Sequence, residues 1–286
     1  MDPAAYVQLT NHPRFLEAAR KSAHTAVERH TGNPRISGTL NDIRRVMYCV
    51  FVLYCDARGE LSLTTIREVC TELGFASAGY AAALLVRLRV MDFITRDANV
   101  TDKRVRRYIP SPLMKQSFIE LLGNELRAFG MVEPEAIEAA EALKDPEVFR
   151  FFALNAGRGL SRIVKTTKPD VLRMFAIRNV GIALLHEIAL SGSEDDTYPP
   201  KGSVRMAVAP LARKFGVSRS HVFRLLRDAE KQGLLRRNAD ELTGQFEETL
   251  REALLLFQAS GFLSIAAGTF EAMNDANYHP PHNRAT

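Results

Sequence analysis

Two stretches of this chain, about 141–142 residues apart, carry the same pattern, and this repetition constrains the fold more than any other feature. In the earlier stretch an apolar helix-forming run through Ile66, Val69, Cys70 and Leu73 meets Gly74, and a second run follows through Ala81, Leu84 and Leu85. In the later one Val208 to Phe215 meets Gly216, and Val222, Leu225 and Leu226 follow. Leu73-Gly74-Phe75 lies beside Phe215-Gly216-Val217 and Leu84-Leu85 beside Leu225-Leu226, with one insertion in the turn. A chain of 286 residues holding such a repeat is expected to be two diverged copies of one helical unit, each large enough to bury its own core.

The later copy carries the clearer chemistry. Gly216 suits the left-handed backbone of a tight turn between helices, Val217 plugs the turn and Ser218 can cap the second helix. With Val222, Leu225 and Leu226 facing the core, Arg219, Ser220, His221 and Arg224 remain outside. This is a helix-turn-helix signature, in which the second helix presents its first turns to a DNA major groove. A purely structural helix hairpin is the competing explanation. Hydrogen-bond donors rather than acids at the outward positions favour DNA. So does the clustering of charge: eight Lys and Arg against Asp228 and Glu230 between Leu211 and Arg237, in a chain whose net charge is only +5.

The earlier copy distributes its groups differently. Its second helix, from Ser77 through Tyr80 to Leu84, offers few base-reading groups beyond Ser77 and Tyr80, and Arg87 follows on the same helix. Phe93-Ile94-Thr95 and Val105 to Ile109 alternate like two strands around a loop, and Lys103, Arg104 and Arg106 make that hairpin basic. A basic hairpin behind a recognition helix reads as a wing reaching for phosphates or the minor groove; a charged, solvated sheet edge is the alternative.

Helix, helix-turn-helix, the wing TDKRVRRYIPS and a long trailing helix together resemble the MarR family of small-molecule-responsive repressors. The resemblance covers about residues 41 to 122, and residues 172 to 260 only at the level of helix-turn-helix. That family's wing carries an Asp followed by an Arg near its tip, so the resemblance implies that Asp102 orients an Arg and Arg104 touches DNA. It also implies a small-molecule effector and a homodimer built through terminal helices. Here two units in one chain depart from the family, so an intramolecular pseudo-dimer, with recognition helices ~34 Å apart, is an alternative to a homodimer. In the later copy the wing is expected to be nearly absent, Leu235 to Asp240 leading almost at once into another helix.

The expected fold class is therefore mainly α with a small β wing: two tandem winged helix-turn-helix units joined by long helices. Residues 1–130 hold the first unit with its flanking helices, 131–147 an acidic, solvated connector helix between Pro134 and Pro146, and 148–286 the second unit, which opens with helical segments from Asn155 to Lys165 and from Pro169 to Leu190. The expected function is sequence-specific binding of double-stranded DNA by a transcriptional regulator. Two further classes stay open: a plasmid-type replication initiator with two winged helices, and a winged-helix protein–protein module without DNA binding.

No catalytic or cofactor-binding constellation emerges. Gly157-Arg158-Gly159 lacks a preceding strand and a third glycine, and His24, His30 and His186-Glu187 lack metal-ligand spacing. His279-Pro280-Pro281-His282 lies in a Pro-rich tail. Cys49, Cys55 and Cys70 form no CxxC pair and sit among apolar residues, as small buried hydrophobes do in a reducing compartment. Phe149, Phe151, Phe152, Phe175 and Phe257 fall at helical spacings; they read as core, with an effector pocket as the functional alternative. The start MDPAAYVQLTNHPRF lacks a signal-peptide profile, and Ala253 to Phe270 is too polar for a convincing membrane span. A cytoplasmic protein with neither metal nor membrane is expected.

Overall fold

The computed structural model describes residues 3–32, 34–98, 100, 106–166, 171–193 and 196–280; the wing residues Asp102, Lys103, Arg104 and Val105 lie outside them. The protein is mainly helical, with a few short antiparallel strands. In chain order the elements are α1 (Pro3–Thr10), α2 (Phe15–Gly32), α3 (Pro34–Thr39), α4 (Ile43–Ala57), α5 (Leu63–Glu72), α6 (Ala78–Val90), β1 (Ile94–Arg96) and β2 (Tyr108–Pro110). They continue as α7 (Pro112–Phe129), α8 (Glu135–Ala142), α9 (Pro146–Thr166), α10 (Arg173–Ala176), α11 (Gly181–Leu190) and β3 (Val204–Arg205). The chain ends in α12 (Val208–Lys214), α13 (Arg219–Lys231), β4 (Leu235–Arg237), β5 (Thr243–Phe246) and α14 (Glu248–Asp275).

Two compact units result, and each is assembled from segments distant in sequence. The α13 unit takes Met1–Arg44, Ala128–Glu133 and Pro169–Leu263; the α6 unit takes Arg45–Arg127, Pro134–Lys168 and Ser264–Thr286. Grouping by contact is thus interleaved, whereas a cut at 130 and 147 is sequential. In the α13 unit, α2 supplies Ala19, Ala23 and Val27, one face at helical spacing, to a core shared with Leu184, Leu185, Ile188, Leu225, Leu226, Leu250 and Leu254. Gln258 of α14 is buried in the same unit and donates to the Ala19 carbonyl and to Ser22 Oγ, so its amide is satisfied inside.

The element order helix, helix, turn, helix, strand, strand, helix occurs twice, with the strand β3 after the first helix in the second set only, and several backbone hydrogen bonds recur with it. Gly74 and Gly216 both take φ near +60°, the left-handed conformation that lets the chain reverse after α5 and α12. Phe75 N–H donates to Cys70 O at 2.9 Å, and Val217 N–H to Ala212 O at 3.0 Å. Phe93 N–H reaches Leu88 O, as Leu234 N–H reaches Ala229 O, and Ser111 N–H reaches Phe93 O, as Glu247 N–H reaches Leu234 O. Ser77 and Ser218, 141 positions apart, each cap a following helix through the hydroxyl. Ahead of the helix pair the two sets differ: Ser62 makes a single bridge to Arg107, whereas β3 pairs with β5 in the order β3-β5-β4.

Four sequence expectations are corrected. The hairpin of the later copy is present: β4 and β5 pair from Leu235 with Phe246 to Arg237 with Gly244. Its tip reverses in five residues because the Asp240 carboxylate accepts the N–H groups of Leu242 and Thr243 and Glu241 adopts a positive φ. The signal was weak because β5 is only Thr-Gly-Gln-Phe; its Gly244 is required, since a Cβ there would lie 2.4 Å from Arg236 O. The expected helix from Pro169 to Leu190 is broken between α10 and α11, where Val180 is left-handed and a Cβ on Gly181 would meet the Phe175 carbonyl at 2.1 Å. The expected helical segment from Asn155 to Lys165 belongs to a longer helix, α9. Finally, α8 is more than a solvated connector: Glu135, Glu138 and Glu141 are exposed, but Ala136, Ala139, Ala140 and Ala142 are fully buried.

Helix α14 is long and apolar enough to cross a membrane by length and composition alone. One row of it, Leu250, Leu254, Gln258, Phe262 and Ala266, is buried within the protein. Cys49, Cys55 and Cys70 are buried free thiols, and burial pushes Cys55 up to about 12 and Cys70 up to about 11.

Candidate nucleic-acid interface

Helix α13 divides into two faces. Val222, Leu225, Leu226 and Ala229 are buried, while Arg219, Ser220, Phe223, Arg224, Arg227 and Lys231 are exposed. Ser218 starts the helix, its Oγ accepting the His221 N–H at 3.1 Å; its role is a cap. Arg219 and Ser220 project from the first turn, and the Arg224 Nε donates back to Ser220 O at 3.2 Å, leaving the rest of its guanidinium in solvent. His221 stands on one flank, half-buried, with Nε2 2.9 Å from the carbonyl of Asn179. One of its ring nitrogens is therefore used to tie α13 to the segment before α11.

The acids of this region are engaged chiefly by partners off the outward row, from which Arg227 alone reaches one of them, Asp228 at 4.0 Å. Arg178 donates to Asp228 at 2.6 Å and holds its carboxyl below the usual range. Arg237, on β4, grips Glu230 through Nε and Nη2 and likewise lowers its carboxyl. Lys214 pairs with Glu187 at 2.6 Å. Arg213, Arg219 and Arg224 have no ion-pair partner among the described residues. The adjacent hairpin adds Arg236, exposed and linked to Gln245 at 3.1 Å, and the exposed Leu242 at the tip.

Three contributors escaped sequence reasoning: Phe223, Arg227 and Arg236. Phe223 is 38% exposed, and the guanidinium carbons of Arg227 and Arg237 lie 5.8 and 5.6 Å from its ring centroid. A helical projection from Val222 and Leu226 would have placed Arg227 outward. Arg236 was visible as half of an Arg pair, but only the hairpin separates its role from that of Arg237.

In the α6 unit, Ser77 caps α6 by accepting the Tyr80 N–H at 3.3 Å. Tyr80 is 40% exposed, and Arg87 and Arg106 are exposed as well. Lys103 and Arg104 lie outside the described residues, so the structure brings together Ser77, Tyr80 and Arg87 on α6 but not the wing tip. The outward row of α6 is Gly79, Ala83, Val86 and Val90, which occupies the places held by Ser220, Arg224, Arg227 and Lys231 in α13. Val86 and Val90 are 59% and 71% exposed. At matching positions one helix offers donors and cations, the other small and branched apolar side chains. Buried Tyr48 fixes α6 from beneath by donating its hydroxyl to Ala81 O at 2.6 Å.

The α13 unit also holds an open cleft of about 510 Å³ among α2, α11, β3 and α12. Val27 and Leu211 form its apolar floor, and Glu28, Glu187, Arg205 and Lys214 line it with both signs of charge. Among the described residues no three His, Cys, Asp or Glu converge as metal ligands would. Against protein families, curated proteins and solved structures, the chain has no match.

Proposed function

We propose that the protein is a sequence-specific double-stranded DNA-binding regulator of transcription, built from two winged helix-turn-helix units. The observation that carries this reading is the outward row of α13, where Arg219, Ser220, Arg224 and Arg227 stand exposed while the acids of the helix are engaged by Arg178 and Arg237. Helices α12 and α13 with the β4–β5 hairpin supply a recognition helix flanked by a wing, and the matching hydrogen bonds around Gly74 and Gly216 support two copies of that unit. Base reading belongs to α13. The α6 unit, with an apolar outward row and with Arg87, Lys103, Arg104 and Arg106 in its sequence, clamps the DNA backbone. The cleft beside α12 is the place where a small-molecule effector would reach the reading helix.

The test is binding of the full chain to duplex DNA across a salt series. Phosphate contacts release counterions, so affinity should fall steeply as salt rises. Arg219→Ala and Arg224→Ala should each reduce the preference for a selected site over random duplex, by about 1–3 kcal/mol if they contact bases, whereas Arg104→Ala should weaken all duplexes alike. No detectable binding to random or selected duplex at low salt would refute the DNA reading. The apolar row of α6 also favours a second reading, in which this helix docks a protein. Under that reading Val86→Glu leaves DNA affinity untouched.

A further inference from the structure

We propose that Phe223 is a thymine-reading residue, packing its side chain against the C5-methyl group of one thymine in the major groove. This rests on the DNA-binding reading and extends it to a specific base. Phe223 is the one exposed aromatic on α13 among the described residues, and it sits on the helix row that runs from Arg219 and Ser220 to Arg227. The ring does not stand alone on the surface: two guanidinium groups lie against it. The Arg237 side chain is 8% exposed, and the residue is fixed by Glu230 through Nε, Nη2 and its own backbone N–H. Its guanidinium carbon stands 5.6 Å from the ring centroid, and that of Arg227 stands 5.8 Å away on the same helix. The Glu230–Arg237 clamp thus orders the Phe223 ring before DNA arrives and spares part of the entropy of fixing it on binding.

On a nucleic-acid surface such a ring takes one of two partners: a thymine methyl in the groove or the face of an unpaired base. Single-strand binders line successive aromatics along a groove. Helix α13 has one aromatic among cations and hydroxyls, which suits the groove. At the corresponding place α6 carries Ala82, so the subsite is specific to the later copy.

The experiment selects the tightest duplex from a random pool with the full chain, then replaces each thymine in turn by deoxyuridine, which removes only the methyl. The native protein should lose about three- to five-fold in affinity at one or two positions, the effect of one buried methyl group. Phe223→Ala should lose a similar factor on the unmodified duplex and become indifferent to deoxyuridine there, while Phe223→Leu retains part of the discrimination. Circular dichroism of both variants checks the fold. Indifference of the native protein to deoxyuridine at every position would overturn the proposal while leaving the DNA reading intact. Undiminished discrimination by Phe223→Ala, or tighter binding of single-stranded DNA through Phe223, would overturn it as well. Failure to select any duplex would overturn both.

Discussion

Gly216 shows how much one residue decides. Its φ of +63° is a conformation that an L side chain adopts only under strain, and nothing lies within 4 Å of where a Cβ would stand. The cost of Gly216→Ala is therefore backbone strain alone, about 1–2 kcal/mol, and should appear as a lowered urea midpoint with unchanged far-UV circular dichroism. His186 offers a second test. It is buried, with Nδ1 2.8 Å from Tyr198 Oη, and burial pushes it down to about 3, aided by Arg29 and His30 nearby. The unfolded chain protonates this group near pH 6.5 and the folded one does not, so the unfolded state binds more protons and acid favours it. This contribution to stability is complete above pH 6.5 and falls by up to about 1.4 kcal/mol per unit between 6.5 and 3. His30, also lowered by burial, acts in the same direction. Chemical denaturation at pH 7 and pH 5 should show the loss, and His186→Asn should remove most of the slope.

At the scale of the element, α13 depends on how it starts. Ser218 Oγ takes one of the N–H groups left unpaired in the first turn, and Ser218→Ala should cost about 1 kcal/mol in chemical denaturation, with Ser218→Gly costing less. If Ser218 acts only as a cap, Ser218→Gly should keep the DNA preference of the native protein. The elements were unequally legible in the sequence. Helices α5, α6, α12 and α13 followed from apolar spacing around Gly74 and Gly216 and from the caps Ser77 and Ser218, because these signals are local. The β4–β5 hairpin was not legible: its strands are three and four residues long, and the Gly244 that permits close approach to Arg236 reads in isolation as a breaker. The break between α10 and α11 was hidden for a similar reason, since only the approach of Gly181 to the Phe175 carbonyl explains it.

For the whole molecule, the test concerns the segments that build each unit. Ala19, Ala23 and Val27 of α2 pack into the core that holds α11, α13 and the first part of α14. A fragment of residues 148–286 keeps the entire helix-turn-helix but lacks that face, leaving Leu184, Leu185 and Ile188 without part of their cover. It should lose cooperative thermal unfolding, and one restoring residues 15–32 through a linker should regain it. Cooperative, full-stability unfolding of the bare fragment would show that α2 is dispensable to the core.

The sequence alone determined the helical class, the two helix pairs that turn at Gly74 and Gly216, and the outward cations Arg219 and Arg224, because periodicity, turn glycines and caps act within a few residues. Only the tertiary structure decided which cations are spent: Arg178 on Asp228, Arg237 on Glu230, and His221 against the Asn179 carbonyl. It likewise decided that Phe223 stays exposed and held, and that α8 buries its alanines. These outcomes depend on partners 7 to 50 residues away in the chain, or on distant packing, brought together by burial of a shared core. A linear pattern carries the chemistry of each side chain, whereas its availability is set by which neighbour folding places beside it.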